Sequence, residues 1–268
     1  MIKQLSPIDQ LILSIGNVFK AFNLISKIRL NWVYLTPVAV YLIIFVTGFS
    51  LTNDLHEQLM AWFKTISGNI EEGGGFLSFL FTATSVLTWL IIKLFLFILF
   101  GIFSGYITLI VLAPLLTFLT EKADAELTGQ KHPFNLTKFF KDVLRAVYIA
   151  IRNAGIQLLW TILLLILSLI PGINLFAAPL LFVITAYFYG FSFIDYTLEI
   201  KGYKIKESII QVRKLRLVSV TLGAIFLILN LIPWFGPFIS TFFIFPLVIS
   251  ATILLNKAKK QQEDILVE

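Results

Sequence analysis

The chain has 268 residues, 58% hydrophobic and 13% charged, with a mean hydropathy of +0.92 and a net charge of +6. Such values exclude a soluble globular domain and define an integral membrane protein. The absence of cysteine also excludes disulfides, thiolate chemistry and Cys-based metal sites.

Residues 1–31 read as an interfacial helix region. Within residues 8–25, Leu11, Ile12, Ile15, Phe19 and Phe22 fall roughly on one helical face. With Asp9 and no short apolar core before a cleavage site, this stretch reads as retained, not as a signal peptide. Trp32–Leu51 then runs without a charge and is long enough to cross a hydrocarbon core about 30 Å thick, making residues 32–51 the first span. Residues 52–75 are polar and net acidic, with Asp54, Glu57, Glu71 and Glu72 against Lys64, and end in three glycines. Phe76–Leu119 is apolar except for Lys93. A straight helix of that length would measure about 66 Å. It therefore overshoots the bilayer, bends near Pro114 or contains two spans; residues 76–119 are taken as a long second span.

Two units of similar design follow. Each has a basic amphipathic stretch, residues 134–155 and 197–216, followed by an uncharged run, Ile156–Ile194 and Leu217–Leu255. The sequences "LIPGIN" and "LIPWFG" interrupt the two runs at corresponding places, so the pair reads as a degenerate internal repeat. Nothing shows the alternating ten-residue strands of a barrel, so the fold class is all-α.

Charge orients these elements. All 21 Lys and Arg residues except Lys64 and Lys93 fall in residues 1–31, 120–155, 195–216 and 256–268. The positive-inside rule puts those segments and both termini in the cytoplasm, and residues 52–75 outside. The two apolar units then leave from the inside and return to it, as helical hairpins over 156–194 and 217–255. The leg Ile156–Ile170 would be only about 22 Å of helix, short of a crossing. The tips hold Pro171, Gly172 and Asn174 in one hairpin and Pro233 and Gly236 in the other, with no charge beside them. That pattern reads as re-entrant hairpins with tips inside the membrane, where broken backbone marks a pore or binding site. The alternative is two pairs of short full spans joined by tight turns.

The run "FSGYITLIVLAPLLTFLTEKADAELTG" (Phe103–Gly129) resembles the signature of the CysZ / etoposide-induced membrane protein family, in Ala113, Pro114, Leu119, Glu121, Ala125 and Leu127–Gly129. "LIPGIN", "FIDY" (Phe193–Tyr196), "LGAIF", "LIP" and "FPLVISATIL" (Phe245–Leu254) follow in the family's order, so the resemblance covers about Asn17 to Leu255. It implies two long transmembrane helices, two half-inserted hairpins and a homo-oligomer. For the bacterial branch it also implies sulfate uptake across the inner membrane for cysteine synthesis.

An anion site is expected at "SKIRLN" (Ser26–Asn31), just before the first span. A helix N-terminus there would offer free N–H groups, with Ser26 as N-cap and Lys27 and Arg29 supplying charge. The resemblance implies the same place: the family's sulfate transporters carry a Gly-(Leu/Ile)-Arg motif that binds sulfate. Ile28 and Arg29 match its last two positions, whereas Lys27 replaces the glycine. The competing reading is that Lys27 and Arg29 anchor a helix end to acidic headgroups.

Other residues have two readings each. Lys93 could face a pore or snorkel to an interface. Gly101 and Gly105 form a small-residue stripe suited to helix packing. Asp195, at a hairpin foot, is expected to pair with a nearby Lys or Arg. The basic runs 201–206 and 213–216 suit anionic lipid and not nucleic acid. Catalysis finds no support: His56 and His132 are separated by the topology, no paired carboxylates sit in the spans, and no metal, cofactor or Walker motif is indicated. Two functions remain open. One is a passive anion channel for sulfate, where Asn174, Ser240 and Thr241 are the polar groups able to ease passage past apolar tips. The other is a membrane-shaping scaffold.

Overall fold

The computed structural model of the chain describes residues 7–39, 105–130, 135–170, 172–233 and 235–267, with scattered residues between 42 and 87. Two compact units divide it, one made of residues 1–38 and 106–268 and the other of residues 39–105. In the second unit the described residues are scattered helical positions, with Thr47 donating its hydroxyl to the Ile43 carbonyl at 2.7 Å. Most of the expected spans 32–51 and 76–119, including Lys93 and Gly101, lies outside the described residues. Pro171 does too.

The described residues of the first unit form helices joined by turns. Helix α1 (Pro7–Lys27) starts with Pro at its first position and Asp9 in its first turn, both favourable at a helix N-terminus. A 3₁₀ turn (Asn31–Leu35) follows. The other helices are α2 (Gly105–Thr128), α3 (Leu136–Leu167), α4 (Asn174–Ile200), α5 (Ile205–Lys214), α6 (Arg216–Asn230) and α7 (Gly236–Val267). Among the described residues, five helices are long and apolar enough to cross a membrane: α1, α2, α3, α4 and the Gly236–Lys257 part of α7. Helix α2 runs through Pro114 and stops at the left-handed Gly129, whose N–H reaches the Ala125 carbonyl at 2.9 Å.

Several helices expose apolar side chains while burying polar ones within a largely apolar core. Helix α1 buries Gln10, Ser14 and Asn17 while Ile8, Ile12 and Phe19 are exposed. Helix α3 buries Asn153, Gln157 and Thr161, at four-residue spacing, while Leu159, Leu163 and Ile166 are exposed. In a bilayer this costs nothing, since lipid tails solvate the apolar side chains and polar groups must find partners within the protein.

Several of the buried polar groups have such partners. Tyr106 donates to Gln157 Oε1 at 2.5 Å, Gln157 Nε2 donates to Thr185 at 3.2 Å, and Asn153 Nδ2 donates to Ser192 at 3.0 Å. The Tyr106 and Tyr189 rings stack at 4.6 Å. Ser250 donates to the Ser14 carbonyl at 3.2 Å, tying α7 to α1.

Helices α4 and α6 meet through small residues. A Cβ at Gly190 would lie 1.7 Å from the Ser219 carbonyl oxygen, and one at Gly223 would lie 1.8 Å from that of Ala186. Ala186-xxx-Gly190 and Ser219-xxx-Gly223 therefore let two backbones touch. The Ser219 hydroxyl adds a 2.8 Å bond to the Tyr187 carbonyl.

The sequence-based boundaries shift in three places. The basic stretch 134–155 and the first hairpin leg are one continuous helix of 32 residues, capped by Asn135, whose side chain accepts from the Lys138 N–H at 3.0 Å. The end of charge before Ile156 does not interrupt the helix. Helix α4 continues to Ile200, past the expected end at Ile194, so Asp195 and Glu199 lie inside an apolar helix. The second basic stretch instead splits at Leu215 into α5 and α6, so the two units differ in form. The polar face of α1, which an interfacial helix turns to water, is packed against α6 and α7.

Candidate functional site

Residues Ser26–Arg29 form a corner between α1 and the 3₁₀ turn. Helix α1 closes with the Leu30 N–H on the Ile25 carbonyl at 3.2 Å and the Arg29 N–H on the Ser26 carbonyl at 3.1 Å. This is the Schellman arrangement, and it places Arg29 at the position that needs left-handed backbone. Arg29 has φ 57°, the one positive φ among the described non-glycine residues. An L side chain there costs about 1–2 kcal/mol. Helix α4 ends the same way, with Gly202 (φ 81°) at the equivalent position, the Gly202 N–H on Glu199 and the Tyr203 N–H on Leu198. One corner uses glycine; the other uses arginine.

The expected role of Ser26 changes. It sits in the last turn of α1, not ahead of a helix, and its hydroxyl donates to Asn31 Oδ1 at 3.0 Å. The following 3₁₀ turn begins after Leu30 with no side-chain cap. Lys27 therefore lies at a helix C-terminus, where its charge complements the dipole, and pairs with Glu126 of α2 at 2.7 Å. Both partners are open to solvent, so the pair is weak. Ser26, Lys27 and Arg29 are exposed, Ile28 is half-buried, and Arg29 has no carboxylate partner among the described residues.

The hairpin tips behave differently from each other. In the first, Gly172 has φ 90° and Asn174 is exposed. In the second, a Cβ at Gly236 would lie 2.1 Å from the Asn230 carbonyl oxygen, so only glycine fits that turn. Asn230 Nδ2 then donates to Ser240 at 3.0 Å. Ser240 and Thr241 are buried and both donate to the Pro237 carbonyl, at 3.1 and 2.7 Å. Their hydroxyls thus bond to the turn within the chain. Both tips leave large apolar side chains uncovered, with Leu169 82% and Leu231 72% exposed, and Pro233 is also exposed. Gly105 is buried at the start of α2, but its stripe partner Gly101 is outside the described residues.

A charged cluster at the foot of the first hairpin was foreseen only in part. Asp195 does pair with a basic residue, and the partner is Arg145 of α3 at 3.1 Å. The same guanidinium donates to Ser208 of α5 at 2.7 Å and to the Tyr203 carbonyl. Its Nε stands 3.8 Å from Glu199 Oε1, and neither of those two atoms has a hydrogen-bond partner. Two buried carboxylates therefore share one arginine, which clamps α3, α4 and α5 together. Beyond it, Asn256 of α7 donates to Asp124 of α2 at 2.7 Å and accepts from Lys201. Among the described residues no group of His, Cys, Asp and Glu could hold a metal ion.

Among the described residues, five membrane-length helices with exposed apolar faces and hydrogen-bonded buried polar groups define a multi-span helical membrane protein. The family model described as "Sulfate transporter CysZ/Etoposide-induced protein 2.4" matches residues 17–240, and the chain belongs to that family. A curated relative, "Sulfate transporter CysZ" of Pseudomonas paraeruginosa (strain DSM 24068 / PA7), is 25% identical over 218 residues, covering 80% of this chain and 84% of the relative.

Proposed function

We propose that the protein is a passive membrane channel or permease for sulfate or a similar oxyanion, supplying cysteine synthesis. It acts as a homo-oligomer in a cell inner membrane with both termini cytoplasmic. The observation that carries this reading is the family match over residues 17–240, which spans the Ser26–Arg29 corner. There an exposed guanidinium is held on backbone that arginine adopts at a cost, and unfavourable backbone of this kind gathers at functional positions. Arg29 offers a fork suited to an oxyanion, beside Lys27 and the N–H groups that open the 3₁₀ turn. Pro171, Gly172, Asn174, Pro233 and Gly236 form the tips of re-entrant hairpins that border the conduit. Support for the re-entrant reading comes from α6, whose 15 residues give about 22 Å of helix, and from apolar tips uncovered by protein.

The test is radiolabelled sulfate uptake into liposomes holding the purified protein, beside a Lys27→Ala/Arg29→Ala variant and empty vesicles. Flux that falls in the variant supports an anion path through this corner. Equal flux in both keeps the channel and removes the site. No flux above empty vesicles, from folded protein, sinks the transport reading.

A scaffold reading is favoured by a separate observation. Apolar side chains project from both tips while the polar interior is filled by its own hydrogen bonds, which suits hairpins wedged into one leaflet.

A further inference from the structure

Helix α5 is short, basic and attached to the protein by one face only. Val212 and Ser208 are fully buried, Leu215 beyond its end is buried, and the Ser208 hydroxyl accepts from Arg145. The opposite face carries Lys206, Ile210, Arg213 and Lys214, all exposed, with Arg216 and Leu217 continuing it at the start of α6. Offsets of four, three and four residues put Lys206 and Ile210, Ile210 and Arg213, and Ile210 and Lys214 on one side of α5.

The position of α5 is fixed by its neighbours. It joins the end of α4 to the start of α6 through short links, and both of those helices are apolar. Helix α5 therefore lies at the level where two membrane helices end. Among the described residues none of the three cations enters an ion pair. The one acid on α5, Glu207, accepts from the Lys204 N–H at 2.8 Å and is held at the helix start. What remains is an outward face with three cations around Ile210, which is 52% exposed.

An exposed isoleucine ringed by cations is poorly placed in bulk water. It is well placed where hydrocarbon gives way to phosphate, since the apolar side chain enters the acyl region while Lys and Arg extend to the headgroups. We propose that α5 is a docking surface for anionic phospholipid, with Lys206, Arg213 and Lys214 on the headgroup phosphates and Ile210 between the first methylenes. Because Arg145 holds Ser208 on the other face, lipid bound here bears directly on the clamp between α3, α4 and α5. The proposal does not depend on transport.

Each Lys or Arg near an anionic surface strengthens association by about fivefold, so loss of three predicts a weakening of roughly a hundredfold. The experiment is thermal unfolding of the purified full chain in neutral detergent, titrated with phosphatidylglycerol or phosphatidylcholine of the same acyl composition. Phosphatidylglycerol should raise the midpoint at much lower concentration than phosphatidylcholine. Lys206→Gln/Arg213→Gln/Lys214→Gln should abolish that difference, while Lys20→Gln/Lys122→Gln should keep it. The charge-preserving Lys206→Arg/Lys214→Arg variant should also keep it, which separates a charge effect from a folding loss. Equal responses of the parent to the two lipids would overturn the proposal, as would a triple variant that still prefers phosphatidylglycerol. So would an equal rise with inorganic phosphate alone, which would make the ligand a free anion.

Discussion

Gly223 rests on the carbonyl oxygen of Ala186 so closely that a Cβ would lie 1.8 Å from it, and Gly190 meets Ser219 in the same way one turn along. Backbone cannot yield as a flexible side chain can. Gly223→Ala should therefore push α4 and α6 apart and cost about 1–3 kcal/mol, and Gly223→Leu should cost more. Unfolding of the purified variants reads this directly. An unchanged midpoint for both would mean that the crossing is looser than described.

Arg145 offsets two buried carboxylates, and removing it leaves both uncompensated. Arg145→Met alone should destabilise by about 3–5 kcal/mol. Arg145→Met with Asp195→Asn and Glu199→Gln should recover most of the loss, because no charge then remains without a partner. A triple variant as unstable as the single one would show that packing, not charge, is what Arg145 supplies.

The backbone at Arg29 separates structure from function. Arg29→Gly relieves the left-handed residue and should raise stability by about 1 kcal/mol, since that conformation suits glycine. The same change removes the guanidinium and should lower sulfate flux into liposomes. Higher stability with undiminished flux would reduce Arg29 to a helix end.

The depth of the hairpin tips is directly measurable. The cysteine-free chain accepts single cysteines at Leu169 or Leu231, two exposed tip positions. A polarity-sensitive fluorophore there should be quenched by lipids bearing a quencher midway along the acyl chain, and not by aqueous iodide. Quenching by external iodide alone would replace the re-entrant hairpins with full spans.

Much of this architecture is legible in the sequence, because lipid and water impose simple demands. The run Ile156–Ile194, the glycines at the tips and the segments able to span follow from hydropathy and turn chemistry. Helix continuity through Asn153 does not follow, since the end of charge and the end of a helix are unrelated. The Asp195 partnership was foreseeable, but its sharing with Glu199 was not. The hairpin reading stopped at Ile194, and so left Glu199 out of the apolar helix that carries it with Asp195. The left-handed Arg29 has no signal in residue type, as arginine is not selected for that backbone. A small-residue stripe was expected at Gly101 and Gly105; a separate crossing, of Ala186 and Gly190 with Ser219 and Gly223, comes from two helices each too ordinary alone to stand out.

The bond from Ser250 to Ser14 spans 236 residues of chain. At 5–20 residues per second, a ribosome takes roughly ten to fifty seconds to travel that distance. For all that time α1 exists with its polar stripe of Gln10, Ser14 and Asn17 lacking the α7 surface that covers it. Until synthesis reaches α7, that stripe must be satisfied by water or by other partners. The amphipathic character that makes α1 look like a surface helix is thus suited to its lifetime before assembly, and its final packing is a late event in biogenesis.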